Sequence, residues 1–483
     1  MEIQIQINKI DNIYCHVDCE DSIAMELNQF FTFQVPNAKF SPAYRNKHWD
    51  GTIKLFNYRF RKIYAGLVPY IIEFCNINEY PVEDNTNYFG KTPIDLSFVD
   101  TLGLPFAPRD YQLTAFGYSA TKKRAVIISP TASGKSLIIY LIIRKLMALG
   151  KKQGLLIVPT VSLVEQMYGD FKSYGWDAEN YCQKIYQGRE KEPLAPVIIS
   201  TWQSIYDMPK KYFSKFDYVI GDEAHTFKAK SLTDIMTKLI NCDYRIGTTG
   251  TLDGTKVNKL VLEGLFGPVK KIVTTKELIE QKHLANFAIK CMILKYPEAV
   301  CKHVRGMTYP EEMDFLVSNE ERNKFIRGLA ASLEGNTLIL YTYVEKHGKV
   351  LHELFKQKNY NRKIFFVCGS TDVMDREEIR HITEKEKDAI IIASYGTFST
   401  GINIRNLHNI IFASPTKSRI RSLQSIGRGL RLGDDKEQAV LYDIADDLRY
   451  KSNVNFALKH FEERIKMYNE EKFPISTKKV EIQ

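Results

Sequence analysis

Residues 125–146, "AVIISPTASGKSLIIYLIIRKL", place a short apolar run, a small polar loop and a longer apolar run in immediate succession. The first run is β-branched, which is typical of a buried strand, and the second has the length of a helix. A loop that joins a strand to a helix N-terminus directs backbone N–H groups toward a bound phosphate. In such a loop Lys135 is suited to the terminal phosphates of a nucleotide, and the Ser136 hydroxyl to Mg²⁺. Ser129 stands where the strict pattern has glycine, which is a small-for-small replacement.

The same alternation of short apolar runs and helix-length segments continues along the chain. Continuous apolar strands that alternate with helices predict parallel sheets covered on both faces. The alternation is interrupted near 275–300, which divides the strands into two series. We therefore predict an α/β fold with two doubly wound domains in tandem. The runs are AVIIS (125–129), GLLIVPT (154–160), PVIIS (196–200), DYVIGDE (217–223) and YRIGTTG (244–250), then NTLILYTYV (336–344), KIFFVCGS (363–370), DAIIIASYG (388–396), NIIFAS (409–414) and AVLYDIAD (439–446).

The N-terminal part has a different pattern, with alternating apolar and polar residues, many aromatics and one helix-like segment at 20–31. It predicts a small α+β domain. The polar stretch 76–95 is interpreted as a linker. We therefore expect three domains, at residues 1–95, 96–280 and 281–483, the last with a C-terminal helical tail.

The composition limits the class of protein. A chain of 483 residues with 44% hydrophobic and 26% charged residues is neither wholly disordered nor fibrous. A net charge of +10 favours a polyanionic partner. The N-terminus lacks the apolar block of a signal peptide, and the most hydrophobic stretch, 136–150, is too short to span a bilayer. The eight scattered cysteines predict reduced thiols rather than a structural zinc site. We expect a cytoplasmic monomer without a membrane partner.

A pair of adjacent carboxylates follows the apolar strand of "VIGDEAH" (219–225). Asp222 is placed to bind Mg²⁺ through water, and Glu223 to orient and deprotonate an attacking water. A solvated acidic turn is the alternative for an isolated Asp-Glu pair. The position of this pair at a strand end, beyond a phosphate loop, favours the catalytic interpretation.

Two arginines lie three residues apart in "QSIGRGLR" (424–431), within the second series of strands. On a helix Arg428 and Arg431 share one face. An arginine placed on the transferring phosphate accelerates its transfer by several orders of magnitude. If these side chains act from the second domain, hydrolysis requires the two domains to close. The alternative is a surface arginine pair bonded to a neighbour.

In order, spacing and strand context these segments resemble the superfamily 2 helicases and translocases, over residues 105–445. The resemblance implies RecA-like motor domains, ATP and Mg²⁺ as cofactors, and adenine recognition by "RDYQLTA" (109–115) through Arg109 and Gln112. It also implies roles for His225 in motif II, Gly401 in motif V and Gln424 in motif VI. The loop residues that would surround the phosphates are Thr131, Ala132, Ser133 and Gly134. The matching segments are SPTASGKS (129–136), VPTVSLVEQ (158–166), STWQS (200–204), DEAH (222–225), TTGTL (248–252), LILYTYVEKHG (338–348), SYGTFSTGINI (394–404) and QSIGRGLR (424–431).

A narrower resemblance comes from "FSPAYRNKHWDGTIKLF" (40–56), together with "STWQS", "SYGTFSTGI" and "EKF" (471–473). These segments resemble the UvsW family of recombination and repair helicases from T-even bacteriophages. That family has a small N-terminal nucleic-acid-binding domain before its two motor domains. The resemblance implies branch migration of DNA junctions, regression of forks, action on RNA–DNA hybrids in R-loops, and a place in the infected host cytosol.

Basic and aromatic residues are interleaved in residues 39–64, where Asp50 is the sole acid. Basic side chains neutralise phosphates, and aromatic rings stack on bases or on frayed duplex ends. The alternative for Phe56, Tyr58 and Phe60 is that they fill the core of a small sheet. The basic residues predicted to contact nucleic acid are Arg45, Lys47, Lys54, Arg59 and Arg61.

Hydroxyl and amide side chains that follow strands of the motor domains are candidates for phosphate contacts, because a translocase grips the backbone of any sequence. Serine and threonine at these positions are equally ordinary helix caps. The candidates are Thr160, Ser162, Thr201, Gln203, Ser399 and Thr400.

These observations together predict an ATP-driven DNA helicase or translocase that acts on branched, forked or duplex DNA. An RNA helicase or remodeller is the nearest alternative. A P-loop kinase or small-molecule ATPase would leave "QSIGRGLR" and the basic N-terminal part without a role. A catalytically idle nucleic-acid-binding protein would not need Lys135, Glu223 and Arg428.

Overall fold

The computed structural model describes residues 5–35, 38–358, 360–371, 378–379, 381–383, 385–400, 404, 406–416, 418–430 and 438–482. The chain divides into two compact units. The first contains Met1–Ser129 and Gly134–Val273, and the second contains Pro130–Ser133 and Thr274–Gln483. Among the described residues, no helix combines the length and the apolar character that crossing a membrane requires.

The N-terminal part of the first unit forms a four-stranded mixed sheet in the order β5-β2-β1-β6 and a two-stranded antiparallel sheet of β3 and β4. Ile5 and Ile7 of the first strand point into a core with the apolar faces of the two longer helices. The strands are β1 (Ile5–Lys9), β2 (Tyr14–Asp18), β3 (Thr32–Gln34), β4 (Thr52–Lys54), β5 (Lys62–Tyr64) and β6 (Val82–Asp84), and the helices are α1 (Asp21–Phe30), α2 (Pro42–Arg45) and α3 (Val68–Ile77).

The rest of the first unit is a seven-stranded parallel sheet in the order β13-β7-β12-β11-β8-β10-β9. Its central strands are buried along their whole length, which explains their unbroken apolar sequences. The strands are β7 (Arg124–Ile128), β8 (Gly154–Val158), β9 (Cys182–Ile185), β10 (Val197–Thr201), β11 (Tyr218–Asp222), β12 (Tyr244–Thr249) and β13 (Val269–Lys271), and the helices are α4 (Asp110–Lys122), α5 (Lys135–Ala148), α6 (Val161–Ser173), α7 (Ala178–Tyr181), α8 (Trp202–Ile205), α9 (Lys210–Phe213), α10 (Lys230–Met236) and α11 (Lys256–Leu265).

The N-terminal part is packed against α11 of the larger sheet domain. Leu260 of this helix belongs to the core of the N-terminal part. The Tyr70 hydroxyl donates to the Glu263 carboxylate at 2.7 Å. Gly66 is required here, because a Cβ at this position would lie 1.9 Å from the Glu263 carbonyl oxygen. The two parts of the first unit therefore share a close, partly apolar interface.

The second unit contains another seven-stranded parallel sheet, in the order β16-β17-β15-β18-β19-β14-β20. Together the two sheets and the N-terminal part confirm the predicted fold class. The strands are β14 (Asn286–Lys295), β15 (Thr337–Tyr341), β16 (Ile364–Val367), β17 (Ile390–Ser394), β18 (Asn409–Phe412), β19 (Gln438–Asp447) and β20 (Ile475–Glu481), and the helices are α12 (Thr275–Glu280), α13 (Glu298–Val304), α14 (Tyr309–Ser318), α15 (Glu320–Ser332), α16 (Lys349–Lys356), α17 (Tyr395–Thr400), α18 (Arg419–Gly429) and α19 (Phe456–Glu470).

Two segments differ from their sequence-based interpretation. The stretch 76–95 is not a simple linker, because β6 pairs with β1 and the buried Tyr88 donates its hydroxyl to the Tyr14 carbonyl oxygen at 2.6 Å. The C-terminal tail is not wholly helical, because α19 is followed by β20, which extends the second sheet. The predicted boundaries at 95/96 and 280/281 remain predictions.

Candidate nucleotide site and nucleic-acid interface

The predicted phosphate and metal residues of the first unit lie at or just beyond the carboxyl ends of strands in the first sheet. In this sheet β7, β12, β11, β8 and β10 are consecutive neighbours and all run parallel. The carboxyl ends of parallel strands meet at one edge, which is where ligands bind in open α/β sheets. This topology gathers segments that are far apart in sequence.

The phosphate loop connects β7 to α5 through residues with unusual backbone angles. The Ser129 N–H donates to the Thr249 carbonyl oxygen at 3.0 Å, which ties the start of the loop to the end of β12. Ala132 has a φ of 67° and Gly134 a φ of 78°, both in the left-handed region. This path ends at the N-terminus of a 14-residue helix, a favourable position for a phosphate group.

The predicted adenine residue lies against this loop. Gln112 is buried on α4, and its Oε1 accepts a hydrogen bond from the Arg109 N–H at 2.9 Å. A Cβ at Gly134 would lie only 2.5 Å from the Gln112 Nε2 atom. Arg109 is partly buried, and its Nη1 donates to the Tyr111 hydroxyl at 2.9 Å. The structure thus brings Gln112 next to the phosphate loop.

Lys135, Ser136 and Asp222 lie where the sequence places the phosphate and metal ligands. The Lys135 Nζ lies 3.4 Å from the Ser129 carbonyl oxygen, and the Ser136 Oγ lies 2.8 Å from the Tyr174 hydroxyl oxygen. Asp222 is buried, and its Oδ1 accepts a hydrogen bond from Thr248 Oγ1 at 2.8 Å.

The electrostatic environment of Asp222 fits a cation site. Burial raises the pKa of this carboxyl, the adjacent Glu223 raises it further, and Lys135 acts in the opposite direction. A divalent cation would compensate the cost of burying this negative charge. Together with the oxygen of Ser136, this buried carboxylate fits the oxygen ligands that Mg²⁺ prefers.

Glu223 and His225 form a connected pair at the end of β11. Glu223 has a φ of 50°, an uncommon conformation for a residue other than glycine and one that concentrates at functional sites. The His225 Nδ1 lies 3.3 Å from the Glu223 carboxylate and 2.9 Å from the Thr249 hydroxyl. His225 therefore links the catalytic candidate to the end of the neighbouring strand β12.

The phosphate-contact candidate at the end of β8 is engaged as a helix cap. Thr160 precedes α6, and its Oγ1 accepts a hydrogen bond from the Leu163 N–H at 3.3 Å. Ser162, in the first turn of this helix, is partly buried. Thr160 is thus a helix cap, which was the alternative to a phosphate contact. Contacts of Thr160 and Ser162 with nucleic acid remain predictions.

The candidates at the end of β10 differ from each other in exposure. Thr201 is buried, and its hydroxyl lies 2.8 Å from the Ser204 hydroxyl. Gln203 is exposed, and its Nε2 donates to the Pro159 carbonyl oxygen at 3.5 Å. Gln203 is therefore better placed than Thr201 for a direct contact with an external phosphate.

The candidates in the second unit are described only in part. Ser399 and Thr400 belong to α17 and Arg428 to α18, but their side chains lie outside what the structure describes. Gln424 is partly buried on α18. Gly401 and Arg431 lie outside the described residues, so the roles of all these residues remain predictions.

Four basic residues of the N-terminal part, all predicted to contact nucleic acid, are exposed, and one of them lies beside an exposed aromatic ring. The Arg59 guanidinium lies 5.6 Å from the centre of the Phe60 ring, which is 62% exposed. Tyr58 is also exposed, whereas Phe56 is buried in the core. The alternative that these aromatic residues fill the core of a small sheet is therefore confirmed for Phe56 and wrong for Tyr58 and Phe60. The exposed basic residues are Arg45, Lys47, Lys54 and Arg59.

Arg61 differs from these four residues because it is partly buried and has two carboxylate partners, whereas Lys54 has one exposed contact, with Asp50 at 3.8 Å. Its Nη2 lies 2.5 Å from the Asp21 carboxylate, and its Nη1 lies 3.9 Å from the Asp18 carboxylate. Its guanidinium also donates to the Cys19 carbonyl oxygen. A phosphate contact by Arg61 remains a prediction that would require these bonds to rearrange.

Comparison with known proteins places the chain in a family. It is 33% identical to the ATP-dependent DNA helicase UvsW of Enterobacteria phage T4, and the match covers 100% of each sequence. The chain belongs to the UvsW family of helicases. The crystal structure of T4 UvsW matches with a TM-score of 0.53 at 32% identity, over 99% of this chain and 100% of that one. It is thus a helicase that uses ATP.

Three family models match successive parts of this UvsW-family chain. The N-terminal domain model of DNA helicase UvsW matches residues 3–84, the type III restriction enzyme res subunit matches 105–254, and the helicase conserved C-terminal domain matches 321–433. The DNA 3'-5' translocase XPB2 of Sulfurisphaera tokodaii is 24% identical over 76% of this chain and 89% of its own sequence. The matches agree with the sequence-based placement of the family in superfamily 2.

The structure of this UvsW-family helicase also reveals contacts that the sequence patterns do not predict. The motif "TTGTL" alone assigns no role to Thr248 or Thr249, although their hydroxyls bond to Asp222 and His225. The one sequence feature that could have indicated these contacts is that both threonines end strand β12, the neighbour of β11. Tyr174, which contacts Ser136, lies in no motif and has no signal in the sequence.

Proposed function

We propose that this chain is an ATP-dependent DNA translocase that remodels branched DNA, by branch migration of junctions and regression of forks, and that it also dissolves R-loops. One observation carries the proposal: a single sheet edge brings the phosphate loop and Lys135 together with the Asp222–Glu223 pair. The full-length similarity to a DNA helicase supports DNA as the polyanion that the net charge of +10 favours.

In the proposed mechanism Lys135 contacts the β- and γ-phosphates of ATP, and Ser136 and Asp222 would hold Mg²⁺. The bound metal would neutralise charge on the phosphate oxygens. Glu223 orients the attacking water and accepts its proton. His225 keeps the Glu223 carboxylate in place through the contact at 3.3 Å.

The remaining nucleotide contacts follow from the position of each residue. Gln112, next to the phosphate loop, recognises the adenine edge together with Arg109. The loop residues Thr131, Ala132, Ser133 and Gly134 surround the phosphates with backbone N–H groups. In the second unit, Arg428 and Arg431 supply positive charge to the transferring phosphoryl group, with Gln424 and Gly401 nearby in their motifs.

The proposed DNA track combines charged and neutral contacts. Exposed cations of the N-terminal part neutralise phosphates of one DNA arm. Polar groups at the carboxyl ends of the strands hold the backbone without reading the bases, which allows movement along any sequence. The proposed contacts are Arg45, Lys47, Lys54, Arg59 and Arg61, then Thr160, Ser162, Thr201, Gln203, Ser399 and Thr400.

ATP-dependent processing of labelled substrates by the full chain tests this proposal. A four-way DNA junction, a simple overhang DNA duplex and an RNA duplex of equal length are compared under the same conditions. We expect the junction to be processed fastest. Processing of the RNA duplex alone would favour an RNA helicase, and ATP turnover that is indifferent to nucleic acid would favour a small-molecule ATPase.

The Glu223→Gln variant tests the assigned chemistry. We expect it to lose DNA-stimulated ATP turnover by several orders of magnitude while DNA binding remains, because the amide cannot accept the proton of water. Glu73→Gln is the matched control, since Glu73 is exposed on α3 and outside the proposed site. Wild-type turnover in Glu223→Gln would show that the catalytic base is another group.

Three further proposals concern the partners and place of the protein. We propose that it acts as a monomer, that RNA–DNA hybrids are among its substrates, and that it works in the host cytosol during infection. Sedimentation of the free and junction-bound chain tests the first, and displacement of RNA from a synthetic R-loop tests the second.

A further inference from the structure

Tyr174 contacts the proposed metal ligand although it belongs to no helicase motif. Its hydroxyl oxygen lies 2.8 Å from the Ser136 Oγ, which is within the range of a good O–H···O hydrogen bond. The two residues are 38 positions apart. Ser136 is the second residue of α5, just after the phosphate loop, whereas Tyr174 directly follows α6.

The position of this hydroxyl is fixed by the packing around it. The Tyr174 side chain is buried, and its ring lies 5.3 Å from the Tyr140 ring and 5.7 Å from the Phe106 ring, edge to face with each. The Tyr174 N–H donates to the Asp170 carbonyl oxygen at 3.0 Å, and Gly175 follows with a φ of 84°. A helix end and an aromatic cluster therefore hold the tyrosine rigidly beside Ser136.

We propose that Tyr174 is a positioning residue for the magnesium–nucleotide site, where its oxygen accepts the hydroxyl proton of Ser136. A serine hydroxyl has one proton and two lone pairs. If the proton points to Tyr174, both lone pairs remain for the cation. Partners behind a metal ligand orient that ligand, and their loss commonly weakens metal binding. This inference rests on the proposed nucleotide site and adds a residue to it.

A purely structural role for Tyr174 makes a different prediction from this proposal. If the ring serves only to fill the aromatic cluster, Tyr174→Phe should be nearly silent, because it keeps the ring and removes one oxygen. If the hydroxyl orients Ser136, the same change should weaken nucleotide binding only when Mg²⁺ is present.

The test is a titration of the full chain with the fluorescent nucleotide mant-ADP, in Mg²⁺ and in EDTA. We expect Tyr174→Phe to weaken binding about tenfold in Mg²⁺ and to leave it unchanged in EDTA. Tyr140→Phe is the matched control, because it removes a hydroxyl that bonds to Arg144 in the same cluster. This control should bind like the wild type under both conditions. Thermal unfolding of each variant confirms that it is folded.

A double-variant cycle with Ser136→Ala isolates the contact. If Tyr174 acts through Ser136, adding Tyr174→Phe to Ser136→Ala should cause no further loss. Additive losses, or equal weakening in Mg²⁺ and in EDTA, would overturn the inference. If the wild type binds mant-ADP no better in Mg²⁺ than in EDTA, the proposed metal site itself is wrong and the inference falls with it.

Discussion

His225 is the residue that connects the catalytic candidate Glu223 to the neighbouring strand. The Thr249 hydroxyl donates to the Thr251 carbonyl oxygen at 3.0 Å, so it accepts a hydrogen bond from the His225 Nδ1 at 2.9 Å. The imidazole therefore carries a proton on Nδ1, which also faces the Glu223 carboxylate. The single Nδ1–H is therefore shared between the Thr249 hydroxyl and the Glu223 carboxylate.

We expect His225→Ala to lower kcat for ATP hydrolysis about tenfold, a barrier increase of about 1.4 kcal/mol, with little change in KM. The physical reason is that Glu223 loses a group that orients it, while the phosphate contacts remain. Steady-state kinetics with a saturating DNA junction measure both constants.

The control for this prediction is His225→Asn, whose side-chain amide places a donor near the position of Nδ1. It should retain more turnover than His225→Ala. An alanine variant with wild-type kcat, or one whose loss is entirely in KM, would contradict the positioning role of His225.

The sequence predicts where the candidate nucleotide residues lie in the fold far better than it predicts the contacts between them. The positions of Lys135, Asp222 and Glu223 were predictable because each lies at or shortly after the end of a buried strand, and parallel strands align their carboxyl ends. The Ser136–Tyr174 bond was not predictable, because it depends on how two helices end and pack. The ion pairs of Arg61 were missed because they too depend on tertiary packing.

At the scale of elements, helix α19 is attached to strand β19 by a buried ion pair. The Arg464 guanidinium forms two hydrogen bonds with the Asp443 carboxylate, each of 2.8 Å, and its Nη1 donates to the Thr416 carbonyl oxygen at 2.6 Å. The Tyr468 hydroxyl of the same helix donates to Asp443 at 2.8 Å. Loss of one partner would leave a buried charge without compensation.

We expect Arg464→Met to lower the free energy of unfolding of the second unit by about 3–5 kcal/mol, because it leaves the Asp443 carboxylate buried and unpaired. Urea unfolding followed by circular dichroism measures this loss. Lys466→Met on the same helix is the control, since its ion pair with Glu463 is exposed, and it should cost less than about 1 kcal/mol. Adding Asp443→Asn should recover part of the loss, and no recovery would contradict the uncompensated charge as its cause.

Two of the strands that the sequence patterns missed, β13 and β20, share a physical property. Every one of the ten apolar runs overlaps an observed strand, and all of these strands except the outermost β16 are interior to their sheets, where parallel strands are buried on both faces. Strands β13 and β20, each at one edge of its sheet, have the sequences VKK and ISTKKVE and are largely exposed. An edge strand needs no continuous apolar run, so its pairing follows from the neighbouring strand rather than from its own composition. The interpretation of residues 76–95 as a linker was wrong for this reason, since β6 is a short edge strand.

At the scale of the whole molecule, the net charge of +10 determines how binding to DNA should respond to salt. Each phosphate that a basic side chain neutralises releases condensed cations, so the affinity falls as the salt concentration rises. Hydroxyl and amide contacts contribute little to this dependence. The salt dependence of binding therefore distinguishes the contribution of the exposed cations in the N-terminal part from that of the polar groups on the two seven-stranded sheets.

We expect the triple variant Arg45→Gln, Lys47→Gln and Arg59→Gln to weaken binding to a four-way junction and to reduce the slope of log K against log salt by about 2–3, because each phosphate that is no longer neutralised removes about 0.9 from the slope. Fluorescence anisotropy at several salt concentrations measures both effects. ATP turnover without DNA should be unchanged, because none of the three residues belongs to the proposed nucleotide site.

A control with the same change of charge uses three exposed lysines that are not predicted to contact nucleic acid, and it should leave the slope close to that of the wild type. If both variants reduce the slope equally, the effect belongs to the net charge of the molecule, and the N-terminal part does not contact the DNA. The three control substitutions are Lys152→Gln, Lys302→Gln and Lys358→Gln.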